Sequence, residues 1–217
     1  MNFLAIKQRQ TGKNVHFISD DFQEHSLEEA IIMGEKDIFV NVKVVGKTPG
    51  RKYLRSIPNS NSSDNLDSIA ITCNDGDYLF FDRKYLYLKA LNGRVKLKWG
   101  AFSGNTEASS NDQAESDYGP LPEGEYIVRF EDTVDAEKST GLLDALKWLA
   151  KFPSWGTVAT PLEQISGETF GRSDFYIHGG VVKGTAGCIE IDGYDNKMFH
   201  AFMALYKRNF KLIVKYK

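Results

Sequence analysis

The chain has 217 residues, 41% of them hydrophobic, with 27 Lys and Arg against 29 Asp and Glu. That size and apolar content suit one large or two small domains with a buried core, and they exclude global disorder. Residues 1–70 hold nine charges of each sign, and neither part has the basic excess that phosphate backbones reward, so no nucleic-acid partner is expected.

Residues 1–70 read as a small β-rich domain, with strands expected at 3–7 and 15–18. Ser26-Leu27-Glu28-Glu29 has the spacing of a capping box, opening a short helix that Gly34 ends. A strand is expected over 38–45. Tyr53-Leu54-Arg55-Ser56-Ile57-Pro58 follows, then 59–65, rich in Ser and Asn, which suits a loop. The ending Y-L-R-[ST]-x-P … D-N-L, here Tyr53 to Leu66, is similar to that of a small domain of unknown function. No chemistry is legible in it, and binding, adaptor and packing roles stay open.

Residues 71–217 read as a second, strand-rich domain. Asn74-Asp75-Gly76 and Asn92-Gly93 are turn signals between apolar runs, and strands at 78–82, 85–90 and 95–99 would form a meander. The polar segment 104–117 reads as a mobile loop that either borders a cleft or is simple surface. Leu142, Leu143, Leu146, Leu149 and Ala150 share one face of an amphipathic helix. Trp148 and Trp155 either line a groove or pack in the core. His200 lies in a helical pattern with Met198, Phe199, Phe202, Leu205 and Tyr206, and is expected at the surface or its boundary. Phe210, Leu212, Val214 and Tyr216 alternate with charges as a terminal strand.

The most informative stretch is 175–191. His178 ends an apolar, aromatic run, Gly179 and Gly180 follow it, and Thr185-Ala186-Gly187-Cys188 opens a second apolar run. Cysteine attacks only as its thiolate, so it needs a lowered pKa or a base, and imidazole supplies either. Gly179 and Gly180 leave room beside the imidazole, and the N–H groups of Gly187 and Cys188 are placed to face a developing oxyanion. The bland alternative is a buried, structural cysteine.

The His178-Gly179 and Thr185-Ala186-Gly187-Cys188 elements resemble the active-site motif of the L,D-transpeptidase (YkuD-type) family. Trp99-Gly100-Ala101-Phe102-Ser103-Gly104 and Tyr118-Gly119-Pro120-Leu121-Pro122-Glu123-Gly124-Glu125-Tyr126 are similar to an F-S-G … G-P-[IL]-P-x-G-x-Y pattern. That pattern marks a branch with G-[ST]-A-G-C-I-[DE] motifs that includes secreted antibacterial effectors. The resemblance implies a mainly β (α+β), sandwich-like catalytic domain. It implies Cys188 as nucleophile and His178 as base, the imidazole oriented by the Gly179 carbonyl, with Gly187 and Cys188 donating to the oxyanion.

The implied substrate is a peptidoglycan stem peptide, with transpeptidation and carboxypeptidation sharing one acyl-enzyme. Thr185, Gly180 and Ser103 fall beside the substrate. Where many members have histidine this chain has Ala186, and where many have arginine it has Glu190. Arg172 is then the candidate partner for a substrate carboxylate; its alternative is a solvated loop arginine. A non-catalytic wall-binding or adaptor module, or a cysteine peptidase of proteins, is the competing reading. The effector branch also implies an immunity or secretion-apparatus partner.

Met1-Asn2-Phe3-Leu4-Ala5-Ile6-Lys7-Gln8-Arg9 lacks the pattern of a signal peptide, so cytoplasmic synthesis is expected, with action in the periplasm or wall needing a non-classical route. No apolar run reaches a membrane span. Four histidines and two cysteines show no zinc spacing, and no P-loop or dinucleotide fingerprint is present, so neither metal nor cofactor is expected.

Overall fold

The computed structural model describes residues 1–21, 23–40, 42–48, 51–57, 66–135, 155–180 and 184–216. The helix expected around Leu142–Ala150, Trp148 and the loop expected at 59–65 lie outside them. The chain divides into two compact units: Met1–Cys73 with Lys197–Tyr206, and Asn74–Asn196 with Lys207–Lys217.

The first unit begins with β1 (Phe3–Gln8), β2 (Asn14–Ser19) and β3 (Glu24–Ser26). The helix α1 (Leu27–Glu35) follows. The Ser26 side chain accepts from Glu29 N–H at 3.2 Å, and Glu29 Oε2 accepts from Ser26 N–H at 2.8 Å, so the capping box is complete. Next come β4 (Val42–Val45), β5 (Tyr53–Ser56), α2 (Leu66–Ile69) and β6 (Ala70–Ile71). β4 is shorter than the strand expected over 38–45. Four strands form one sheet in the order β3-β2-β1-β6, and β4 pairs with β5. Phe3, Ile6, Phe17, Ala30, Phe39 and Leu54 fill one core cluster.

The helix α3 (Gly193–Tyr206) gives its residues from Lys197 onward to this unit. Ala201 and Leu205 pack with Leu4, Ala5 and Ile18. Phe199, Ala201, Phe202 and Met203 are all at most 2% exposed, so α3 is buried on more than one face. His200 is therefore buried, at 7% exposure, rather than on the surface.

The second unit is mainly β. Its strands are β7 (Tyr78–Phe81), β8 (Tyr85–Lys89), β9 (Val95–Ser103), β10 (Gly124–Val128), β11 (Val134–Asp135), β12 (Val158–Gly167), β13 (Tyr176–Gly179), β14 (Ile189–Ile191) and β15 (Phe210–Val214). They form one sheet ordered β10-β15-β7-β8-β9-β14-β13-β12-β11, and β10 pairs again with β12. That second pairing closes eight strands into a barrel, with β11 attached to β12. Apolar alternation predicts strands but not their partners, so a sandwich-like layering and a closed barrel read alike in sequence.

Alternation also decides what faces inward. Leu79, Phe81, Leu86, Leu88, Trp99 and Leu212 are at most 1% exposed and occupy matching register positions on β7, β8, β9 and β15. Following the same register, Ile189 and Ile191 of β14 and Ile177 of β13 also point inward. The intervening residues, Tyr176, His178, Glu190 and Phe102, then share the outer face.

Candidate active site on the outer face of the barrel

β13 and β14 are parallel neighbours, with Ile177 opposite Ile189 and His178 opposite Glu190. Cys188 immediately precedes β14, so it lies one strand away from His178 and two positions along. Strands about 4.8 Å apart, with a rise of about 3.3 Å per residue, put those backbones about 8 Å apart, within reach of both side chains. The barrel's short-range pairing thus brings the two motif halves together.

His178 is only 1% exposed. Its Nδ1 lies 2.5 Å from Gly179 O, which fixes that nitrogen as the N–H donor and leaves Nε2 with the lone pair. Nε2 is buried and, among the described residues, has no hydrogen-bond partner. Trp155 stacks on the imidazole at 4.3 Å with an interplanar angle of 1°, and contacts Tyr176 at 5.4 Å. Burial pushes the imidazole pKa down to about 4, against the upward pull of the Gly179 carbonyl. At neutral pH His178 is an uncharged ring with an open basic nitrogen.

Cys188 is free and 4% exposed. Its Sγ donates to Asp174 O at 3.8 Å and is not hydrogen-bonded to His178. Burial pushes the thiol up to about 12; the Tyr176 backbone and the Arg172 charge pull it down, and Asp174 raises it. The resting pair is therefore thiol and neutral imidazole, not thiolate and imidazolium.

Among the described residues, Thr185, Ser103 and Arg172 anchor the loop before Cys188, together with Glu190, whose Oε2 accepts from Gly184 N–H at 3.2 Å. Thr185 Oγ1 donates to Cys188 O at 2.7 Å and accepts from Gly104 N–H at 3.1 Å. Ser103 is fully buried; its Oγ donates to Gly187 O at 3.2 Å and accepts from Leu121 N–H at 2.8 Å. Arg172 is 9% exposed and donates to four carbonyls: Gln113 and Pro120 through Nη1, Gly119 and Ala186 through Nη2. Gly187 has φ +105°, and a Cβ there would sit 2.2 Å from Arg172 Nη2, so no other residue fits.

Three expected substrate contacts are revised by these partners. Ser103 has no exposed surface and its hydroxyl is committed to the loop. Arg172 is neither solvated nor available to a carboxylate, because both terminal nitrogens are taken by backbone. The space beside Gly180 is filled by Glu190, whose Oε1 would lie 2.6 Å from a Cβ added there. Thr185 is half-buried and positions the loop. Gly179 supplies the carbonyl that orients His178.

Tyr176 and Asp174 are site residues that motif reading misses, and Trp155, expected either to line a groove or to pack in the core, stacks on His178. Tyr176 was available from alternation, being two positions before His178. Asp174 has φ +60°, a backbone shape that Asp tolerates better than most residues. The polar segment 104–117 is not featureless: Asp112–Ala114 is a 3-10 turn, and Asn105 N–H donates to Tyr118 O at 2.7 Å.

Residues 5–69 match the family described as "Protein of unknown function (DUF3892)". No curated protein matches the chain. Among the described residues no group of three or more His, Cys, Asp or Glu is placed to hold a metal ion, and no helix is long and apolar enough to cross a membrane.

Proposed function

We propose that the chain is a cysteine-dependent acyl-transfer enzyme of the L,D-transpeptidase or L,D-carboxypeptidase type, acting on peptidoglycan stem peptides. The observation that carries the reading is the neutral His178, held through Nδ1 with Nε2 open, one strand from Cys188. Because the thiol is pushed up and the imidazole down, a preformed ion pair is disfavoured. Cys188 Sγ would turn from Asp174 O and attack the carbonyl carbon while its proton passes to His178 Nε2. The N–H groups of Gly187 and Cys188 would receive the oxyanion. His178 would then return the proton to the leaving amine as the C–N bond breaks, leaving a thioester on Cys188. Water or a second amine would release the acyl group.

Purified stem tetrapeptides incubated with wild type and with Cys188→Ala, read by mass spectrometry, test this. Loss or exchange of the terminal D-amino acid by wild type alone is expected. No Cys188-dependent product from a folded protein would sink the reading. The absent Cys188–His178 hydrogen bond and the buried thiol favour a second reading, a binding module on the same scaffold. It predicts peptide binding without turnover.

A further inference from the structure

A cavity of about 560 Å³ lies beside the Cys188 face and has no role in the steps above. It is lined by Tyr85, Gly100 and Phe102, with Arg83 and Lys84 among its other walls. Register gives its place: Phe102 is opposite Glu190, and Gly100 is opposite Tyr85. The cavity therefore continues the outer face, one strand beyond Cys188 and two beyond His178. Two strand spacings are about 10 Å, which about three residues of extended peptide span.

Its cations keep unused hydrogen-bond donors. Arg83 Nη2 donates to Ala108 O, while its Nε is buried and, among the described residues, has no partner. The Arg83 guanidinium carbon lies 5.8 Å from the centre of the Phe102 ring. Lys84 is exposed, and among the described residues its ammonium forms no ion pair; it lies 5.6 Å from the Tyr85 ring centre. Asp192 is the acid in the lining, and Asp112 is near enough for the Arg83 charge to act on it. Among the described residues near Cys188, Arg172 gives both terminal nitrogens to carbonyls, and Glu190 is a buried acid on the same face.

We propose that this cavity is the subsite for a free carboxylate of the peptide substrate, held by Arg83 and Lys84 beside Phe102. The assignment rests on the peptide acyl-transfer reading and names the part of the substrate that the site recognises.

The test uses the full chain carrying Cys188→Ala, so that binding is read without turnover. It is titrated calorimetrically with a synthetic stem tetrapeptide bearing free carboxylates and with the same peptide amidated. The acid is expected to bind at least about tenfold more tightly, with the preference shrinking in high salt. Adding Arg83→Gln and Lys84→Gln should abolish the preference and leave affinity for the amide unchanged. If Arg83→Gln lowers the Tm, Lys84→Glu, at an exposed position, carries the test alone. Equal binding of acid and amide, a preference that survives the substitutions, or no binding of either peptide overturns the subsite. Turnover by wild type separates the two ideas: Cys188-dependent cleavage with no acid preference removes the subsite alone, whereas acid-selective binding without cleavage removes the acyl-transfer step alone.

Discussion

At the residue scale, His178 sets the pH behaviour. Its folded-state pKa of about 4 is below the ordinary value of 6.5, so between those values the unfolded chain holds the proton that the folded chain refuses. Stability is complete above about pH 6.5 and falls as pH drops towards 4. The loss should be about 3 kcal/mol, the free energy of lowering an imidazole pKa from 6.5 to about 4. Urea unfolding at a series of pH values should show this slope, and His178→Gln should flatten it. An unchanged slope in the variant would assign the acid sensitivity to other groups.

Elements explain why a few strong bonds matter at this site. β14 is only three residues long, so the loop that carries Cys188 into it depends on Arg172, Ser103 and Thr185. Arg172→Gln removes a buried cation and leaves carbonyls of Gln113, Gly119, Pro120 and Ala186 short of donors. A loss of about 3 kcal/mol is expected, since each unsatisfied buried group costs about 1–3 kcal/mol and relaxation recovers part. Chemical denaturation measures it; a change below about 0.5 kcal/mol would mean that water replaces the guanidinium without cost.

Much of this scale was legible in sequence. The Ser26–Glu29 cap, the strands from Tyr78 to Trp99 and the motif strands all carry local signals. β12 did not: Pro161 and Glu163 interrupt its pattern, and its second half is exposed. Nor did sequence show the four carbonyls around Arg172, because they come from segments far apart in the chain. The proximity of His178 and Cys188 could be expected from the motif, but the hydrogen bond of Sγ to Asp174 could not. Backbone acceptors leave no residue-type signature.

For the whole molecule, what matters most is that the chain divides into two units that are each discontinuous in sequence. The first unit is discontinuous: its core clusters include Met198, Ala201 and Leu205 from α3. A fragment comprising residues 74–217 keeps the second unit but strips α3 of Leu4, Ala5 and Ile18. That fragment should bind a hydrophobic dye strongly and be cleaved within 197–206 by dilute protease, while the full chain resists both. Equal dye binding and equal resistance would show that α3 finds enough cover without residues 1–73.

The same discontinuity orders events during synthesis. Residues 1–73 leave the ribosome well before α3, yet their unit waits for it, more than 100 residues later. At about 5–20 residues per second the delay is on the order of ten seconds, during which the α3-facing side of β1 has no cover. A chain interrupted just before α3 would contain β1 to β14 and both motif residues, yet would lack the segment that completes the first unit and the strand β15 between β10 and β7. The segment from α3 to β15 therefore closes the first unit's core and joins β10 to β7.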